Sequence, residues 1–204
     1  MSRGLGDVYK RQDNENISLG LSHHSLRAVN ADIMNEATKA VHAISSNMPI
    51  HIHIAEQMKE VNDCLEHTGK RPVEYLYDTI EVDEKWCLVH ATHLNDAEIK
   101  MIADSDAIAG LCPTTEGNLG DGIFPLPDFI KAKGRFGIGS DSHISVSVSE
   151  ELRLLEYGQR LTKRRRNIAH SDLEPHIGAY LYKQSAQGLS LINISEPTRH
   201  TSIA

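Results

Sequence analysis

Two hydrophobic rhythms alternate along this chain. Short apolar or β-branched runs occupy residues 17–21, 50–55, 86–90, 107–111 and 135–139, and each reads as a strand. Between them the spacing turns helical. Residues 31–46 place Ile33, Ala37, Val41 and Ile44 on one stripe, and Pro49 stops that helix. Met58, Val61 and Leu65 continue the helical pattern, followed by Val73, Leu76 and Ile80. Asn95-Asp96-Ala97-Glu98 has the form of an N-cap for a helix reaching Ala103. Residues 129–133 read as a helical turn and residues 149–166 as the last helix. Strand and helix in regular alternation predict an α/β fold built on a parallel sheet.

Two segments break the pattern. Residues 1–12 and 190–204 lack periodicity, and the strings GLGDVYKRQ and LINISEPTRH resemble translated sequencing-adaptor DNA. The folded information is therefore expected over residues 13–189, with a leader and a tail of foreign character. On that reading the sequons at Asn16 and Asn193 need no glycan.

Composition narrows the setting. A chain of 204 residues, 40% hydrophobic and 24% charged, can bury one sizeable core. Its net charge of −7 argues against a nucleic-acid partner, because such binding needs clustered cations. Lys163-Arg164-Arg165-Arg166 is a basic cluster, but it closes a predicted helix, where the helix dipole favours cations. No apolar run approaches the roughly 20 residues of a membrane span, and no charged, then apolar leader opens the chain. A cytoplasmic protein without a membrane partner is expected. Cys64, Cys87 and Cys112 are widely spaced, with no C-x-x-C pair, and read as reduced core residues.

The chemistry collects where strands end. The segments HIHIAEQ, CLVHATH and FGIGSDSH each pass from an apolar run to a metal-ligand or acid/base residue, which is where a barrel enzyme keeps its site. His51 and His53 share one strand face, with His53 nearer the carboxyl end. Taken alone, a strand histidine is more often a hydrogen-bonded core residue than a ligand. Glu56 follows just past the strand, where a carboxylate can shuttle a proton beside a metal-bound water. His90 and His93 compete for the next position, and His90 is preferred because it directly follows the apolar run. Asp141 follows Gly137-Ile138-Gly139-Ser140 at the last strand end, where a carboxylate can ligate zinc and accept a proton. In isolation it would read as a turn residue.

His53-Ile54-Ala55-Glu56, Val89-His90-Ala91 and Gly139-Ser140-Asp141 resemble, in order and spacing, the second half of the amidohydrolase superfamily barrel in its mononuclear zinc deaminase branch. The likeness extends over residues 17–189. It narrows at His24-Ser25-Leu26-Arg27, Ala55-Glu56-Gln57 and the string from Cys112 through Pro125, which are similar to the N-formimidoylglutamate deiminases of histidine degradation. The resemblance implies part of a (β/α)8 TIM-type barrel, roughly strands 4 to 8. It also implies zinc as cofactor, held in part by His53 and Asp141, with Glu56, His90 and Asp141 catalytic. His24 and Arg27 would hold the carboxylates of a small-molecule substrate. A guanidinium forks onto a carboxylate through two hydrogen bonds, which suits Arg27 to that role. The loop over residues 114–122 would cover the pocket or serve as a turn.

The resemblance also marks a gap. Family members carry a His-x-His pair on their first strand, and Glu56 together with the order of motifs places His51-Ile52-His53 on the fifth instead. The chain reads as a fragment lacking the front of the barrel, inactive by itself, from a parent expected to be a homodimer. The implied reaction is hydrolysis of N-formimidoyl-L-glutamate to N-formyl-L-glutamate and ammonia. Two alternatives stand beside it. One is an aminohydrolase acting on a purine, pterin or triazine-like ring, which would not need His24 and Arg27 as a clamp. The other is a non-catalytic barrel piece with open sheet edges.

Overall fold

Residues 19–188 are described by a computed structural model of the chain. The strands are β1 (Leu21–Ser25), β2 (Ile50–Ile54), β3 (Trp86–His90), β4 (Ile108–Leu111) and β5 (Arg135–Ile138). The helices are α1 (Ala31–Ile44), α2 (Met58–Thr68), α3 (Pro72–Thr79), α4 (Asp96–Asp104), α5 (Pro113–Leu119), α6 (Leu126–Lys131), α7 (Val148–Lys163) and α8 (Ile177–Gly188). The sheet runs β1-β2-β3-β4-β5 and every neighbouring pair is parallel. A doubly wound sheet would reverse its strand order at a switch point. Here each strand lies beside the next in sequence, the order of a barrel wall.

Alternation along the strands divides the sheet into two faces. Ile52, Leu88, Ala109 and Phe136 share one register row and are fully buried. They join a core that includes Met34 of α1, Val61 of α2, Leu76 of α3, Ile102 of α4 and Phe129 of α6. His53, Val89, Gly110 and Gly137 form a row of opposite parity and line a cleft of about 320 Å³. All strands point the same way, so their carboxyl ends fall together at one end of the sheet.

The first strand lies later than the apolar pattern suggests: it begins at Leu21, where that pattern ends, and residues 17 and 18 lie outside the described residues. Its buried polar residues, His23 and Ser25, have partners, Ser25 through the ring of His24 at 2.9 Å. Nε2 of His23 is 2.9 Å from the Thr38 hydroxyl on α1, and the ring stacks on Trp86 at 5.8 Å.

Residues 114–122 are also not the loop expected, because α5 occupies their first two thirds. Pro113 sets φ at the first helical position, and Gly120 closes the helix with φ 74°. Glu151 of α7 anchors it, accepting from the backbone N–H of Thr114 at 2.9 Å and from its hydroxyl at 2.5 Å. Helix α8, which lacks a clear apolar stripe, packs on β5, where Gly188 abuts Gly137. The readings made for residues 1–12 and 190–204 lie outside the described residues. Among the described residues no helix is long and apolar enough to cross a membrane.

Candidate active site

Each strand that supplies a candidate group ends in an unusual backbone. Strand β1 pairs Ser22 with His51 but Ser25 with His53, so it carries a bulge, and His24 within it has φ 20°. Such irregularities re-aim side chains. Ala55 follows β2 with φ 49°, His90 ends β3 with φ 66° and Ala91 continues at 48°, and Asp141 follows β5 with φ 44°. Left-handed backbone at a non-glycine residue costs about 1–3 kcal/mol and persists only where surrounding contacts hold it. Of the ten such residues among those described, five, His24, Ala55, His90, Ala91 and Asp141, fall at these strand ends.

The side chains there form a line of alternating charge. A guanidinium nitrogen of Arg27 lies 3.6 Å from one Glu56 carboxylate oxygen, and the other oxygen lies 3.7 Å from His90 Nε2. His90 Nδ1 is 3.3 Å from the buried carboxylate of Glu116. By strand parity His90 belongs with Trp86 and Leu88 on the core side, and it is buried there with a positive φ. Burial works against the charged imidazole of His90. The hydrogen bond with Glu116 and the charges of Glu56, Glu116 and Asp141 outweigh it, so the pKa is raised.

His53 sits beside this line. Its ring is 5.7 Å from that of His90 and 5.6 Å from that of His24. Nδ1 of His53 donates to the His24 carbonyl at 2.7 Å, which leaves Nε2 as its open nitrogen. A backbone carbonyl on the far nitrogen is the usual support for a metal-bound histidine. Asp141 is exposed and lines the same cleft as His53. His51 lines it too, and its pKa is lowered by burial and then by the charge of His53.

The structure thus brings His53, Glu56 and His90 together, joins Arg27 to them through Glu56, and joins His24 through its carbonyl and ring. Asp141 faces the shared cleft. His93 is engaged elsewhere, donating to the Asp121 carbonyl at 2.7 Å. A metal here would draw on His53 Nε2 and the Asp141 carboxylate. Among the described residues no three His, Cys, Asp or Glu side chains gather closely enough to hold an ion, whereas catalytic zinc takes three protein ligands. The described residues fit part of a ligand set and not a whole one.

Two carboxylates escaped the reading of the sequence. Glu116 holds His90 and also accepts the Cys112 N–H at 2.9 Å. Its place four residues after Cys112 would have pointed to this contact had residues 113–119 been read as helical. Glu60 accepts the N–H groups of Ala55 and Glu56, and its only signal was its position one helical turn after Glu56.

Comparison with known proteins agrees with this architecture. The model of the amidohydrolase family matches residues 1–194. A formimidoylglutamate deiminase from Pseudomonas aeruginosa is 55% identical over 171 residues, covering 84% of this chain and 37% of its own length. The crystal structure of an amidohydrolase from Brucella melitensis superposes with a TM-score of 0.79 at 47% identity, covering 85% of this chain and 38% of that one. An adenosine deaminase from Xanthomonas campestris, solved with bound zinc, shares the fold with a TM-score of 0.80 at 21% identity over 92% of this chain and 42% of its own. The chain therefore spans about two fifths of the length of these three proteins, and its parallel sheet corresponds to part of their barrels. On the family match and the strand-end site together, the chain belongs to the amidohydrolase family.

Proposed function

We propose that the protein containing this chain hydrolyses N-formimidoyl-L-glutamate to N-formyl-L-glutamate and ammonia, a cytoplasmic step of histidine degradation, with zinc as cofactor. The observation that carries this reading is the contact between Arg27 and Glu56, which sets a carboxylate-binding cation directly beside a proton-transfer pair. The 55% identity to a formimidoylglutamate deiminase supports it.

Each candidate residue of the site has a task in that reaction. Arg27 grips a substrate carboxylate through paired hydrogen bonds, with His24 flanking it. Water adds to the formimidoyl carbon, the carbon–nitrogen bond to the departing group breaks, and ammonia leaves. Asp141 and His90 take the proton of the attacking water. Glu56, within reach of both His90 and the cation that holds substrate, delivers a proton to the departing nitrogen. Zinc, when bound, lowers the pKa of water to about 7; His53 and Asp141 are the ligands that this chain would contribute.

The test is ammonia release by the full-length protein supplied with formimidoylglutamate or with adenosine. Turnover of formimidoylglutamate that falls by about a hundredfold or more in Glu56→Gln is expected. Preferential turnover of adenosine would assign the site to a ring aminohydrolase instead.

A further inference from the structure

We propose that Glu60 is the positioning residue for Glu56: its buried carboxylate grips the turn that carries Glu56 and so aims that side chain at His90. The inference rests on the reading of Glu56 as the proton carrier.

Glu60 is the third residue of α2, a position from which glutamate commonly reaches back to the cap residue. Helices α3 and α4 show that ordinary arrangement. Glu74 accepts the N–H of its cap residue Arg71 at 3.1 Å, and Glu98 that of Asn95 at 3.0 Å. Glu60 passes over its own cap residue, Gln57. One oxygen takes the N–H of Ala55 at 3.1 Å and the other that of Glu56 at 3.0 Å. The carboxylate therefore serves the two residues between strand and helix, and not the helix end.

Those two residues need holding. Ala55 has φ 49°, and its carbonyl is fixed from the other side by the His93 N–H at 3.0 Å. With the N–H of Glu56 also held, the Cα–Cβ direction of Glu56 is set, and its carboxylate falls between Arg27 and His90. Glu60 is only 2% exposed. Burial pushes its carboxyl pKa up, against the N–H of Glu56, the charge of Arg27 and the N–H of Ala55. Arg27, the cation that touches Glu56, favours the charged form of Glu60, and the charge of Glu56 opposes it.

The test has two arms. In the isotope-labelled 204-residue chain, Glu60→Gln should move the Ala55 and Glu56 amide proton resonances selectively, leaving those of Arg71 and Asn95 in place. Exchange of these two amides should quicken by about tenfold or more, the equivalent of one charge-assisted hydrogen bond. Glu60→Ala should also abolish the nuclear Overhauser contact between the Glu56 side chain and the His90 ring. If Glu60→Ala does not fold, Glu60→Gln alone decides the amide result. In the full-length enzyme, Glu60→Gln should lower kcat by about tenfold to a hundredfold, the cost of a misplaced group, with KM little changed. Added to Glu56→Gln it should cost nothing further.

Unchanged Ala55 and Glu56 amides in Glu60→Gln overturn the inference, as does an unchanged kcat or a loss that adds fully to Glu56→Gln. Should the full-length protein fail to act on formimidoylglutamate, the proposed reaction falls. The amide and contact measurements then still support or overturn the clamp by themselves.

Discussion

The carboxylate of Glu56 lies 3.7 Å from Nε2 of His90, although the two side chains come from different strand ends. That separation is beyond a direct hydrogen bond yet close enough for strong electrostatic coupling. Catalytic contacts of this kind commonly shorten only when substrate is bound. Under the proposed function the pair would pass a proton across a substrate atom or a water; Arg27 and Glu116 terminate the line on either side.

Under the proposed function Arg27 holds a substrate carboxylate, and its removal should expose that role. In the full-length protein, Arg27→Ala is expected to lower kcat/KM for formimidoylglutamate by about 2 kcal/mol or more, roughly thirtyfold, as for a charge-assisted pair lost from a site. Steady-state kinetics checks it. An unchanged specificity constant would reject the carboxylate clamp and favour a ring substrate.

The 204-residue chain itself should release no ammonia from formimidoylglutamate even with zinc supplied. Its described residues offer His53 and Asp141 where a catalytic zinc needs three ligands. The measurement pairs the chain with a His53→Ala control. Turnover that vanishes in the control would mean that this chain holds a complete site.

Stability should depend on Glu98 more than on any exposed ion pair. Glu98 is 0% exposed and accepts from the Arg71 guanidinium at 2.8 Å, from the N–H of Asn95 at 3.0 Å and from that of Val73 at 3.3 Å. Arg71 in turn donates to the His93 carbonyl beyond β3. Glu98→Ala strands all of these donors, and urea unfolding should show a loss of about 3–5 kcal/mol, the range for breaking a buried pair from one side. A loss as small as that for a surface pair would show that the network relaxes around the gap.

The folded pKa of His90 is raised, so its protonation stabilises the fold. That contribution is fully present below the unfolded value of about 6.5 and is lost as pH rises through the folded value. Urea midpoints measured upward from pH 6 should therefore fall more steeply for the parent chain than for His90→Gln. Equal slopes would show that Glu56 and Glu116 do not hold the imidazolium.

The apolar rhythm by itself determined the alternation of strands and helices, the parallel sheet, and the strand-end location of His53, Glu56, His90 and Asp141. It could do so because side-chain periodicity is local, and because parallel strands necessarily bring their carboxyl ends to one side. The polar part of strand β1 was missed, and the strand placed too early at residues 17–21, for the complementary reason: His23 is buried by Thr38 and Trp86, partners distant in the sequence. Helix α5 was hidden likewise, since Thr114 and Gly117 favour it little and Glu151 of α7 anchors it. The left-handed turns at Ala55, His90 and Asp141 and the gripping of Glu56 by Glu60 belong to the tertiary structure alone. So does the placing of Glu116 on His90. A hydrogen-bond partner or a strained φ is fixed by what surrounds a residue in space, and hydrophobic spacing along the chain records which way a residue faces but not what it meets there.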